Sequence, residues 1–447
     1  MKNMIAIAMV VAGAGAWTAG SQSGNAPAHV AFVGVNVIPM DREIVLPDQT
    51  VLVQDGRITS VGPSKDAQIP DGVTRVDAAQ KYLIPALAEM HAHIPGGNAP
   101  DAVIERTLFL YAANGIGTIR GMLGHPRHLS YRQRVANGEL FSPRIYTSGP
   151  SLNGQSVTSK DAAIEAVTSQ KAAGYDLLKI HPGVQRDVFD ALAAKAHEVG
   201  IDFAGHVPLE VGLERALEAR YRSIDHLDGY LEAMSKNPTQ SQFFGVNLVN
   251  ELDESRIPAL VAATKKAGTW MVPTQVLMDN LMTDEDPVEM AKRPEMKYAL
   301  QPEQIKQWIE QKQGFMAKIP AADRAKFLDV RRRLIKALYD GGVPFALGSD
   351  APQWWNVPGF SAHRELESLV LAGLTPYEAL RTGTVDVATY FGLKDAGTIA
   401  AGKKADLILL DASPLETITN SARIAGVVIG GTWLPKAVIQ DRLEGKL

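Results

Sequence analysis

An alternation restricts the fold of this chain more than any other feature. After Leu83, short apolar runs of strand character recur at 116–120, 144–148, 175–180, 202–207, 223–227, 269–273 and 344–349. Helical stretches lie between them, the clearest at 101–114, 159–173, 185–199 and 209–220. In 185–199, Val188, Leu192 and Val199 share one helical face. Gly174 and Gly200 stand just past their helices, where glycine is the usual C-terminal stop. Counted from Leu83, the pattern predicts eight strands alternating with helices, the arrangement of a closed parallel (β/α)8 TIM barrel. The span from His91 to Asp350 agrees with the roughly 250 residues such a barrel needs. Surplus length at 231–260 and 276–335 is polar, contains methionine and is helical in pattern, and reads as loop insertions able to cap a site.

The ends of the chain have a different character. Val30, Phe32, Val35 and Val37 mark a strand, and 50–62 forms two more around Asp55-Gly56, a strong hairpin signal. The pattern continues at 73–76 and 82–84, and returns at 405–411 and 426–434, the latter turning at Gly430-Gly431. Two β-rich ends around an alternating middle predict one small β-sandwich built from both termini. The expected division is 29–84 and 395–447 for the sandwich and 85–394 for the barrel. Ahead of these, Lys2, an apolar run at 4–17 and the small-residue sites Ala26-Pro27-Ala28 or Thr18-Ala19-Gly20 read as a signal peptide over 1–28. The run is short for a membrane span, which takes about 20 apolar residues. A periplasmic location, with no membrane attachment after signal removal, is the expectation.

Six residues fall at the C-terminal ends of the predicted strands: His91, His93, Lys179, His206, His226 and Asp350. That end of a parallel barrel carries the chemistry. His91 and His93 are two apart, so on a strand both imidazoles face one side. With no cysteine in the chain, any metal site must use nitrogen and oxygen ligands. Imidazole and carboxylate suit zinc and similar divalent ions. A charged lysine near two cations would be repelled. A neutral one can combine with CO2 to give a carbamate anion, which nearby metal charge would stabilise.

Composition narrows the remaining classes. The chain is 46% hydrophobic and 21% charged with a formal net charge of −4, which favours a soluble globular protein and gives no basic surface for nucleic acid. A small-molecule substrate is the expected partner, and a homo-oligomer is compatible with the sequence. His181, two residues after Lys179, faces the same way on its strand and is a candidate substrate contact, as is Arg120 at the end of the second strand. The arginine-rich stretch at Arg331, Arg332 and Arg333 reads as a solvated helix face.

The stretches Leu83-Ile-Pro-Ala-Leu-Ala-Glu-Met-His-Ala-His93, Tyr175-Asp-Leu-Leu-Lys179, Ala204-Gly-His-Val207, Ser223-Ile-Asp-His-Leu227, Leu347-Gly-Ser-Asp350 and Ala401-Gly-Lys-Lys-Ala-Asp-Leu407 together resemble the amidohydrolase superfamily. The likeness is to its dinuclear branch with a carboxylated lysine, and within that to imidazolonepropionase-like and prolidase-like secreted hydrolases. Ala86 and Glu89 stand where the family has Gly and Asp. The resemblance implies two divalent metal ions, zinc being the expected one. His91, His93 and Asp350 would hold the first, His206 and His226 the second, and a carbamate on Lys179 would bridge them. It implies hydrolysis of an amide-type C–N bond in a dipeptide, N-acyl amino acid or cyclic amide by a metal-bridging hydroxide, with Asp350 shuttling the proton. A mononuclear deaminase, a cyclic amidine or lactone hydrolase on the same scaffold, and a non-catalytic metal-binding envelope protein are the alternatives.

Overall fold

The computed structural model describes residues 29–299 and 301–446, so the expected signal segment lies outside the described residues. Five strands open the chain: β1 (Val30–Val37), β2 (Leu46–Gln54), β3 (Arg57–Pro63), β4 (Thr74–Asp77) and β5 (Tyr82–Pro85). The middle contributes β6 (Leu87–Ala92), β7 (Ile116–Gly121), β8 (Arg144–Thr147), β9 (Leu177–Ile180), β10 (Asp202–Gly205), β11 (Ser223–Asp225) and β12 (Trp270–Val272). The chain ends with β13 (Leu407–Leu410), β14 (Ile424–Ile429) and β15 (Thr432–Pro435).

Both termini build one sheet, in the order β15-β14-β13-β5-β1-β2-β3 with β4 also paired to β1. Asp55-Gly56 and Gly430-Gly431 all have positive φ, the conformation a tight two-residue hairpin requires. The two turns meet: a methyl group placed on Gly431 would lie 2.9 Å from Gly56 Cα. Inward residues of distant strands, among them Phe32, Val53, Leu407 and Val428, share one buried core, so the sheet folds over on itself as a small sandwich.

The middle strands are parallel and follow chain order, β6-β7-β8 in one sheet and β9-β10-β11-β12 in the next. Parallel bridges at Ser148↔Leu177 and Leu152↔Ile180 join β8 to β9. The eighth member, 344–351, runs extended without a continuous ladder. It bridges β12 at Met271↔Phe345 and returns to β6 at Ala92↔Ala351, which completes the ring. Backbone hydrogen bonds from Met90 N to Leu347 O (2.7 Å) and from Asp350 N to His91 O (3.0 Å) hold that last seam. A layer of helices packs outside, and its apolar faces form the main core. Among the described residues no helix is long and apolar enough to cross a membrane.

The chain passes from the sandwich to the barrel within one apolar stretch. The apolar stretch around 82–95 is not continuous: β5 pairs with β13 in the sandwich, and β6 pairs with β7 in the barrel. The crossing is at Ala86, whose N–H donates to Asp406 while the next, from Leu87, donates to Gly115. Residues on both sides of the crossing are buried. The alanine at the crossing faces Gly117, where an added methyl would come within 3.0 Å of Ala86 Cβ.

Glycine is required where β10 crosses β9. Gly205 has φ 120°, and a Cβ there would fall 2.6 Å from Ile180 O and 2.7 Å from Lys179 Cδ. Gly200, at φ 65°, only ends the helix Arg186–Val199 and has open space around it. Gly200→Ala should therefore cost about 1–2 kcal/mol for the left-handed backbone alone. Gly205→Ala should add about 1–3 kcal/mol of overpacking. Urea unfolding of the two variants checks the difference; equal losses would mean the crossing is looser than described.

Candidate metal centre

Parallel strands end on one rim, and their terminal side chains meet there. His91 lies in β6 and His93 just past it, Lys179 lies in β9, His206 and His226 directly follow β10 and β11, and Asp350 lies in the extended segment that closes the ring. Donor atoms of His91, His226 and Asp350 all lie within 4.8 Å of one another. His93 joins through Asp350, with Nε2 2.6 Å from Oδ1. Lys179 Nζ is 3.3 Å from His91 Nε2. The His206 ring stacks on His226 at 4.5 Å between centroids. The tightest trio thus crosses the expected division into two ligand groups. His91, His226 and Lys179 are almost wholly buried, whereas the side chains of His93 and His206 keep 22% and 14% exposure, so solvent reaches the group from their side.

The backbone at the rim is held in unusual shapes. His226, Leu227, Thr274 and Asp350 have φ of 63°, 60°, 46° and 65°. Such left-handed residues cost of order 1–3 kcal/mol each and persist only where their surroundings impose them. The impositions are visible. Thr274 Oγ1 lies 2.7 Å from His226 Nδ1. Arg331 donates to the carbonyls of His226 (2.7 Å) and Pro273 (3.2 Å) and to Gln275 Oε1 (2.9 Å). Glu365 accepts from the N–H groups of Gln275 and Val276, which fixes the turn that carries Thr274. Glu89 accepts from Ser349 N, Ser349 Oγ and His91 N, tying the two strands that bear His91 and Asp350. Asp228 Oδ2 is 2.6 Å from His206 Nδ1.

Beneath the histidines lies a buried charge pair. Asp225 Oδ1 accepts from Ser223 Oγ (2.9 Å) and from Arg120 (3.3 Å). Its Oδ2 sits 2.9 Å from His91 Nδ1, though off the line of a good hydrogen bond, and 3.9 Å from Lys179 Nζ. Arg120 also donates to Met90 O, Ser223 Oγ and Tyr390 Oη. This corrects the expectation for Arg120: it is fully buried, and four of its five N–H groups are donated to protein acceptors, so it does not face a substrate. The Arg331 expectation is corrected too. Arg331 is 1% exposed and reaches the site, whereas its neighbour Arg333 is a surface ion-pairing residue. A run of three arginines reads alike on every face, and only the helix rotation separates them. His181 is at hand: its ring lies 4.9 Å from that of His206 and its Nδ1 is hydrogen-bonded to Ser151 Oγ.

Electrostatics favour neutral nitrogen ligands. Burial, reinforced by Lys179, holds the His91 imidazole well below its ordinary range. Burial and the neighbouring His206 and His91 do the same for His226. Burial also pushes Lys179 down, against the opposing pull of Asp225 and Asp350. For Asp350, burial alone would raise the carboxyl, but His91, His93 and Lys179 outweigh it and keep it low. Neutral imidazole and ionised carboxylate are the forms that bind metal. His226 Nε2 is moreover buried without a hydrogen-bond partner. A bare buried polar atom costs about 1–3 kcal/mol, which a cation would offset. The nitrogen and oxygen donor set therefore fits a divalent cation.

Residues 82–434 match the Amidohydrolase family. Imidazolonepropionase of Cereibacter sphaeroides is 23% identical over 393 residues, a match spanning 82% of this chain and 89% of that protein. Bottromycin amidohydrolase has the same fold, with a TM-score of 0.71 at 24% identity and coverage of 94% of this chain and 90% of that one. A putative prolidase from Bifidobacterium longum gives a TM-score of 0.67 at 21% identity over 93% of this chain and 99% of that one. With barrel, flanking sheet and rim residues accounted for together, the chain belongs to the amidohydrolase family, hydrolases that act on carbon–nitrogen bonds.

Proposed function

We propose that this protein is a metal-dependent amidohydrolase of small molecules, in which His91, His93, Asp350, His206 and His226, together with a carboxylated Lys179, would hold two divalent cations. The observation that carries the reading is the convergence of His91, His226 and Asp350 donors within 4.8 Å, with a buried lysine amine 3.3 Å from the first. When bound, the cations would lower the pKa of water and polarise the substrate carbonyl.

The chain's own residues have separable tasks. Burial lowers the Lys179 amine, which increases its neutral fraction, the form that reacts with CO2. A bond forms between Nζ and the carbon of CO2, and one N–H proton is released. Asp350, kept low by its imidazole neighbours, is ionised and able to accept a proton from the attacking water and pass it to the leaving nitrogen. Thr274 orients His226 and Asp228 orients His206, while Asp225 places its charge beside His91 Nδ1. His93 and His206 face the solvent-accessible side, where a substrate enters, with His181 beside them. Similarity to an imidazolonepropionase and a putative prolidase supports cyclic amides and dipeptides as substrates to test first, with N-acyl amino acids beside them.

Asp350→Asn should leave the thermal transition in place while turnover falls by about 10²–10⁴. Full activity in that variant would remove Asp350 from the mechanism. Lys179→Ala should lower the metal content below two equivalents per chain, and added short carboxylic acids should restore part of the activity by replacing the carbamate. One equivalent in the native protein, with Lys179 an unmodified amine by mass spectrometry, would favour the mononuclear deaminase reading instead.

A further inference from the structure

Beside the His206 and His226 pair stands an aromatic wall drawn from three separate segments. Phe244 lies 5.6 Å from the His226 ring and 6.4 Å from that of His206, between ring centroids. Phe243 packs on Phe244 (5.1 Å), on Phe315 of the helix Pro302–Lys318 (4.4 Å) and on Trp354 (6.1 Å), which follows Asp350. None of the four is fully buried. Core packing is therefore an incomplete account of them.

Their backbone carries a second signal. Phe243, Phe244 and Trp354 have φ of 40°, 58° and 44°. Left-handed geometry is an outlier for bulky side chains and costs about 1–2 kcal/mol per residue. Strain of this kind gathers where side chains must be aimed at a ligand. Polar groups nearby are committed elsewhere: Asp228 pairs with His206, Glu232 accepts from Ser241, and Arg120 and Arg331 are buried donors to protein acceptors. Neither guanidinium is free to receive a substrate carboxylate.

We propose that the substrate carries an aromatic or bulky apolar group next to the scissile C–N bond, and that Phe244, backed by Phe243, Phe315 and Trp354, selects for it. This rests on the reading of the adjacent histidines as the reaction centre. An aromatic group packed on this wall leaves water and gains ring-to-ring contact, while a methyl group in its place forgoes most of both.

The test compares benzylphosphonate with methylphosphonate on the zinc-loaded full chain by calorimetry, alongside hydrolysis of amides that differ only in benzyl or methyl side chain. The benzyl ligand should bind about 10–100-fold more tightly. That ratio should collapse to within about threefold in Phe244→Ala and take an intermediate value in Phe244→Leu, which preserves bulk and guards against a folding defect. Equal affinities in the native chain, or a ratio unchanged in both variants, would overturn the proposal. Benzyl preference with no amide hydrolysed would instead count against the reaction assigned to the centre and leave the aromatic wall standing. Hydrolysis without preference would do the reverse.

Discussion

Withdrawing a lysine amine and several imidazoles from water at one end of a barrel is the act on which the remainder of this structure depends. Lys179 is wholly buried, with Asp225 its nearest carboxylate and His91 its nearest imidazole. A buried charge without a partner is strongly destabilising, of order 3–5 kcal/mol when one member of a pair is removed. The barrel answers with a second polar layer rather than an apolar one. Arg120 reaches across from β7 to Asp225 on β11, and Ser223 and Tyr390 complete the network. The interior below the rim is thus a charge-balancing platform, and above it His93, His206 and His226 are each hydrogen-bonded to a protein side chain.

That logic extends outward into the insertions. The helix Ala321–Asp340, which leads directly into the segment that closes the ring, delivers Arg331 to the carbonyls of His226 and Pro273. Glu365, on the helix Phe360–Leu371, holds the turn after β12 from the other side. Left-handed His226, Thr274 and Asp350 are stable because these contacts over-determine them. Length that looked surplus therefore serves as a brace for the centre, and the segment with Phe243 and Phe244 borders it.

Much of this is legible in the sequence. Strand and helix periodicity carried the barrel, glycine-bearing turns carried the hairpins of the flanking sheet, and strand-end position singled out the six rim residues. Where reading along the chain failed, the failures share a cause. Arg120 looked like a free cation at a strand end, and Arg331 like one of three solvated charges. In each case the local pattern is the same for two outcomes, and the choice depends on what lies across space from it.

Local chemistry determined which residues form strands, which lie at strand ends, and that a cysteine-free chain has no thiolate to offer a metal. Periodicity is a property of neighbours in sequence, so it survives without a fold. Tertiary structure alone decided that Asp225 lies beneath the centre, that Thr274, Glu89 and Arg331 hold the backbone and side chains around it, and that phenylalanines from an insertion stand against its histidines. Those roles come from contacts between segments far apart in the chain, which closure of the ring brings together and no local rule encodes.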